Sequence, residues 1–220
     1  DVDVQTLAYT GSYTLLIEGR RDNATVTNYT YNVQPVTDEV AALSIGTRMD
    51  GAIAHAGQVD RYTFNLAADT KLVFDALSDT AFQWTLTGPR GTVVSSRGLQ
   101  QSDSRDFGSN PLLDLAAGDY VLSVDVAGET TGAYSFRLLD LASAVSLTPD
   151  TPVTATLDPA SETDLYQFTV AAGDRYFFDM QALGNAAAGI KIGVIDLGFA
   201  SLATSQASGD LPPTGPNLTI

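Results

Sequence analysis

Asp60-Arg-Tyr-Thr-Phe-Asn-Leu-Ala-Ala-Asp-Thr-Lys-Leu-Val-Phe-Asp75 returns later in the chain as Asp164-Leu-Tyr-Gln-Phe-Thr-Val-Ala-Ala-Gly-Asp-Arg-Tyr-Phe-Phe-Asp179. Asp164 minus Asp60 and Asp179 minus Asp75 both give 104, and the likeness runs over residues 43–75 and 147–179. Both copies read as β-structure. Tyr62, Phe64 and Leu66 alternate with Arg61, Thr63 and Asn65, which makes one side of an extended chain apolar and the other polar. Tyr166, Phe168 and Val170 repeat the alternation. Leu72 and Phe74 turn inward in a following strand after a turn over Ala67 to Thr70, as Tyr176 and Phe178 do after Ala171 to Asp174. The pattern predicts one hairpin in each copy.

A second pair of motifs runs the other way round. Gly118-Asp-Tyr-Val-Leu-Ser-Val124, late in the middle of the chain, is matched by Gly11-Ser-Tyr-Thr-Leu-Leu-Ile17 near its start. The chain therefore reads as the tail of one unit, one whole unit and the front of a third. Joining Pro216-Asn-Leu-Thr-Ile220 to Asp1-Val-Asp-Val gives a polar loop leading into a Gly-x-Tyr strand, the counterpart of Asn110 to Tyr120. The expected organisation is C-terminal strands of one sandwich at 1–36, a complete sandwich at 37–143, and the N-terminal part of the next at 144–220. Short linkers are expected around Val36-Thr-Asp-Glu39 and Leu141-Ala-Ser-Ala144. An incomplete stretch of a domain pair is the alternative.

Further strands are expected at Ala81–Thr87, Thr92–Ser96, Tyr120–Val126 and Ala133–Leu139, separated by turns rich in Gly, Pro, Ser and Asn. Short strands at near-regular spacing, with no helical stripe, give an all-β fold of tandem antiparallel jelly-roll sandwiches. One sandwich is complete and the other is circularly permuted, split between the two ends.

Composition narrows the function. The chain has 220 residues, enough for two domains, and 44% are hydrophobic, enough to bury real cores. It contains no cysteine, which removes disulfides and thiolate metal sites. Acidic residues outnumber basic ones 26 to 11, for a net charge of −15, and that field repels nucleic-acid phosphates and anionic membranes. The most apolar long stretch, Ala182 to Ala203, is interrupted by Lys191, Asp196 and glycines, so no membrane insertion is expected. No targeting segment is visible at the start.

Catalytic equipment is sparse. His55 is the sole histidine, and Pro159 stands at its repeat position. No Gly-x-Ser-x-Gly elbow occurs, and Gly184-Asn-Ala-Ala-Ala-Gly189 lacks the ending of a phosphate loop. Glu18, Glu39, Glu129 and Glu162 lie in polar turns or strand edges. The sequons at Asn23, Asn28 and Asn217 read as incidental. No enzyme is expected.

The order Asp60-x-Tyr62-x-Phe64, Ala67-Ala-Asp69, Phe74-Asp75, Leu115-Ala-Ala-Gly-Asp-Tyr120 and Gly132-x-Tyr134-x-Phe136-x-Leu138 resembles the bacterial pre-peptidase C-terminal domain. The resemblance covers the middle unit fully and the two end pieces in part. It implies a small jelly-roll sandwich, secreted or on the bacterial cell surface, attached to peptidases or strung in tandem within very large proteins. It also implies that some relatives bind calcium, and that a collagen-binding group belongs to the same class.

Most motif residues have structural roles in this reading. Gly11 and Gly118 permit a tight approach to strands whose Tyr13 and Tyr120 send their hydroxyls to a loop carbonyl, as in a tyrosine corner. Gly132 and Tyr134 repeat the Gly-x-Tyr pattern, with Tyr62, Phe64, Tyr166 and Phe168 as the inward aromatics. Asp60 and Asp164 are expected to accept backbone amides of the preceding loop; Asp75 and Asp179, at strand ends, have no single expected role. Asp103 and Asp106, with Asp114 nearby, are the candidate calcium ligands, and no other cofactor is indicated. Trp84 shares a face with Phe82 and reads as core. The expected function is a non-catalytic structural repeat of an extracellular bacterial surface fibre, filament or adhesin stalk. Its partners are adjacent copies of the same repeat, in one polypeptide or head to tail between subunits. The alternative is an accessory module of a secreted hydrolase that binds collagen or polysaccharide.

Overall fold

The computed structural model describes residues 4–103, 111–126, 128–177, 179, 181, 190–194 and 200–205; among the strand residues from 190 onward it describes the backbone alone. Phe178, Asp106 and Asn217, singled out above, lie outside the described residues, as does the run 184–189.

Nine strands form a sandwich: β1 Glu39–Ala42, β2 Met49–Ile53, β3 Asp60–Leu66, β4 Thr70–Ala76, β5 Gln83–Gly88, β6 Gly91–Gly98, β7 Leu112–Leu115, β8 Gly118–Asp125 and β9 Gly132–Asp140. One sheet has the order β1-β3-β8-β5-β6, the other β2-β9-β4-β7. Pairing is antiparallel except for β1 and β3, which run parallel; here the fold departs from the purely antiparallel sheets expected. No α-helix occurs among the described residues, only 3₁₀ turns at Leu99–Gln101 and Leu141–Ser143.

The predicted hairpin of residues 60–75 does not form. β3 pairs with β8 in the first sheet and β4 with β9 and β7 in the second, so residues 67–69 arch from one sheet to the other. A hairpin and an arch both place alternate residues of two strands against one core, and the alternation cannot tell them apart. Asp69 secures the arch by accepting the amide of Ala117 at 2.9 Å, in the neighbouring link between β7 and β8. Within the nine-stranded sandwich, consecutive strands are sheet neighbours only in the β5–β6 pair.

Inward residues of both sheets meet in one core. Phe74 stacks on Trp84 at 4.1 Å and on Phe136 at 5.2 Å, while Phe64 stacks on Tyr120 at 5.2 Å. Leu72, Leu86, Leu122 and Leu138 fill the space between them and are fully buried. Such side chains each contribute about 1.5–3 kcal/mol when removed from water. The indole N–H of Trp84 donates to Ser102 Oγ at 2.6 Å, and Ser102 Oγ donates to the carbonyl of Gly98. Its ring is thus core with a satisfied polar end, not a platform for a sugar.

Beyond the sandwich, β10 Val145–Ser146 runs parallel to β11 Tyr166–Gln167, and β12 Ile190–Val194 is antiparallel to β13 Ala200–Ser205. None of the described helical turns is long and apolar enough to cross a membrane.

Candidate functional site

A buried polar cluster is built where β3 starts. Asp60 is buried, and its carboxyl accepts Tyr134 Oη–H at 2.6 Å on one oxygen and Gln58 Nε2–H at 2.6 Å on the other. Tyr62 Oη lies 2.8 Å from Tyr134 Oη and completes the chain of hydrogen bonds. Gln58 also donates to the carbonyl of Ala52 at 3.0 Å and accepts the amide of Ala54 at 2.8 Å, closing the turn before the strand. Asp60 therefore bonds side chains, not the loop amides expected for it. Burial pushes both tyrosine hydroxyls above their ordinary range, and for Tyr134 the hydrogen bond to Asp60 adds to the effect. Every member is satisfied, so the cluster ties the two sheets together and leaves no group exposed for chemistry.

Gly51 makes room for this cluster. A Cβ there would lie 2.4 Å from Tyr62 Oη and 2.5 Å from Tyr134 Cζ. At Gly88 a Cβ would lie 2.1 Å from Tyr120 Cε1, so that ring too lies flat on bare backbone. Gly118 has φ +139°, a conformation that favours glycine, just before Tyr120. Tyr120 Oη donates to the carbonyl of Ala116 at 2.7 Å, four residues back. Tyr13 Oη donates to the carbonyl of Tyr9 at 2.6 Å, also four residues back.

The remaining predicted residues are dispersed. Asp103 Oδ1 accepts the amide of Ala76 at 2.8 Å, and Asp114 sits on β7 opposite Lys71 of β4. Among the described residues no three acidic or histidine side chains gather as a metal site would require. His55 has Nε2 3.4 Å from the Thr37 amide and Nδ1 3.4 Å from the Ala56 carbonyl, a loop setting. Asp164 accepts Tyr166 Oη–H at 3.4 Å, and Asp179 accepts Gln181 Nε2–H at 3.1 Å, both on the surface. Phe168 meets Tyr176 edge to face at 5.4 Å. Asp75 is fully buried on the outer side of β4, where Arg137 Nε–H donates to it at 2.6 Å. Gln58, Ser102 and Arg137 were not singled out from sequence. For Gln58 a signal existed, since Glu162 holds the equivalent place in the second copy.

The 104-residue offset reappears in hydrogen bonds. The pair Ala41 with Tyr62 becomes Val145 with Tyr166, and Ala42 with Thr63 becomes Ser146 with Gln167. Leu43 N to Thr63 O becomes Leu147 N to Gln167 O; Gln58 N to His55 O becomes Glu162 N to Pro159 O. The side-chain bond from Ala54 N to Gln58 Oε1 becomes Asp158 N to Glu162 Oε2.

What differs is the neighbour strand. In the sandwich β3 lies against β8, whose Tyr120, Leu122 and Val124 are 3%, 0% and 0% exposed. Their twins Tyr13, Leu15 and Ile17 are 53%, 56% and 45% exposed, in a stretch with no strand pairing among the described residues. Tyr29, Tyr31 and Val33 repeat the spacing of Tyr134, Phe136 and Leu138 on β9 and are 69%, 51% and 74% exposed, against burial of the β9 residues. A shallow depression lined by Ser146, Leu147, Gln167, Phe168 and Thr169 lies along β11.

No protein-family model matches the chain, and no curated protein matches it. Solved structures do. PliG of Salmonella Typhimurium, a periplasmic inhibitor of g-type lysozyme, is 18% identical with a TM-score of 0.33, over 46% of this chain and 98% of that one. A mutant of the Escherichia coli PliG is 19% identical with a TM-score of 0.35, over 46% and 99%. The pre-peptidase C-terminal domain of collagenase from Bacillus anthracis is 18% identical with a TM-score of 0.34, over 49% and 99%.

Proposed function

We propose that this chain is a non-catalytic structural repeat of an extracellular bacterial fibre or adhesin stalk, in which residues 11–33 of one copy complete the sandwich begun by residues 144–181 of its neighbour. The carrying observation is the contrast between twins: β11 repeats the backbone pairing of β3, while the segment equivalent to β8 displays the side chains that β8 buries. Six large apolar side chains, Tyr13, Leu15, Ile17, Tyr29, Tyr31 and Val33, lie in water in a pattern that alternates like a core strand. Covering them contributes on the order of 10 kcal/mol at ordinary transfer energies. A strand added to an open sheet edge by a neighbour gives head-to-tail growth, whether the neighbour belongs to the same polypeptide or to another subunit.

The pairing of β3 with β8 supplies the register. Phe64 opposite Tyr120 translates to Phe168 opposite Tyr13, and Asn65 opposite Asp119 translates to Thr169 opposite Ser12. Asn65 Nδ2–H donates to Asp119 Oδ1 at 2.7 Å, so side chains at this register position touch. The chain has no cysteine of its own. The variant Ser12→Cys with Thr169→Cys is therefore expected to oxidise into a ladder of dimers, trimers and larger multimers, while Ser12→Cys with Gln167→Cys cross-links far less. A disulfide closed within single molecules, or two thiols left unreacted, refutes the proposal.

A further inference from the structure

The outer side of the β4–β9 pair carries an ionic cluster of Asp75, Arg137 and Glu162. Asp75 on β4 and Arg137 on β9 are direct cross-strand partners, and both side chains leave the sandwich on its outer face. That face is covered by the turn 158–163, which belongs to the second copy of the repeat. Arg137 Nη2–H donates to Glu162 Oε1 at 2.9 Å and to the carbonyl of Thr163 at 3.0 Å. The amide of Thr163 donates back to Asp75 Oδ1 at 3.1 Å. Asp75 is wholly buried and Arg137 and Glu162 are mostly so, with side chains 0%, 19% and 18% exposed. Charge-assisted bonds in such surroundings are stronger and more orienting than surface pairs.

The first copy does the same job differently. Its equivalent turn ends in Gln58 and Val59, and Val59 donates its amide at 3.1 Å to Asp38, a residue of the adjoining linker that also pairs with Arg61. Gln58 turns inward to Asp60, so the turn is satisfied by its own unit. By the spacing of Tyr29, Tyr31 and Val33 against Tyr134, Phe136 and Leu138, the place of Arg137 is taken by Asn32. Thus arginine and glutamate occur together at one junction, and asparagine and glutamine at the other.

We propose that Asp75, Arg137 and Glu162 form a lock that fixes one sandwich unit on the next across residues 141–145, and that the Arg137–Glu162 match selects which unit may follow. At the junction of residues 36–39 the corresponding places hold Asn32 and Gln58, and this charged pair is not repeated there. The idea of successive units rests on the reading above, but the lock itself involves only residues whose contacts are seen within one chain. Failure of the Ser12–Thr169 cross-link would strike the fibre; failure of the test below strikes the lock alone.

The discriminating substitution is Glu162→Gln, which installs the residue the other turn uses. Glutamine keeps the bond from the Asp158 amide, as Gln58 keeps that from Ala54, and lies outside the sandwich, so folding of β1 to β9 is unaffected. Native-state hydrogen exchange of the 220-residue chain is expected to show the Thr163 amide exchanging about tenfold faster, as for loss of one partly buried charge-assisted bond, with the Asp158 amide and those of β8 unchanged. Arg137→Gln is expected to produce a larger acceleration at Thr163. Spin labels at Thr92→Cys on β6 and Thr151→Cys beyond the linker report the orientation. Their distance distribution is expected to be narrow in the parent and broad in Glu162→Gln. Thr163 exchange and a label distribution unchanged in both variants would overturn the lock.

Discussion

Tyr134→Phe isolates the hydroxyl on which the buried network turns. The substitution keeps the ring in place against Phe82 and Phe136. It removes the 2.6 Å bond to Asp60 and leaves Tyr62 Oη without the partner 2.8 Å away. A hydrogen bond to a buried carboxylate is worth about 1.5–3 kcal/mol, and Asp60 keeps only Gln58 as donor, so a loss of about 2–3 kcal/mol is expected. Tyr62→Phe removes the outer hydroxyl and spares the bond to Asp60; the loss there is about 1 kcal/mol. Trp84, the sole tryptophan, lies inside the same sandwich and reports its unfolding by fluorescence. With a urea slope of about 1.5 kcal/mol per M, Tyr134→Phe shifts the midpoint down by about 1.5–2 M and Tyr62→Phe by less than half of that. The double variant is expected to lose less than the sum, because the two hydroxyls act in one chain. Equal losses for the two single variants, or a loss below about 0.5 kcal/mol for Tyr134→Phe, would refute the claim that the network binds the sheets.

Gly51→Ala is expected to destabilise the sandwich by about 2–3 kcal/mol, since its methyl group meets two hydroxyls already held in place; urea unfolding without loss would show the tyrosines free to move. Burial raises the Tyr62, Tyr120 and Tyr134 hydroxyls, so the folded protein keeps protons that the unfolded chain releases near pH 10. Their contribution is whole below that pH and is lost above it: stability stays level from pH 7 to 9, then falls by at most about 1.4 kcal/mol per pH unit for each tyrosine. Level stability through pH 11 would contradict the assignment. Asp103→Ala is expected to lower stability by about 1 kcal/mol, equally with and without millimolar calcium, because its carboxyl serves the Ala76 amide. A loss confined to calcium-containing buffer would make Asp103 a metal ligand.

Particular residues show what could be read beforehand. Alternation places Tyr62, Phe64, Leu66, Leu72 and Phe74 in the core, and all five are buried; it also turns Tyr166 and Tyr176 inward, yet both are 38% exposed, because the alternation names a face and not what covers it. Trp84 was assigned to the core from its neighbours, and its buried ring stacks on Phe74. The partners of Asp60 were not legible, because Tyr134 lies 74 positions away and nothing local names it. Asp75 had no single expected role, and its surroundings depend on Arg137 and Thr163, 62 and 88 positions distant.

Sequence alone determined that Tyr62, Phe64, Leu66, Leu72 and Phe74 turn inward and that the pattern recurs at a spacing of 104, since both are properties of neighbouring side chains along one chain. The tertiary structure decided that β3 and β4 join different sheets, that β1 runs parallel to β3, and that Arg137 reaches across to Glu162. Those outcomes depend on hydrogen bonds and burial between segments far apart in order, where the same alternation of apolar and polar residues serves a hairpin and an arch equally well.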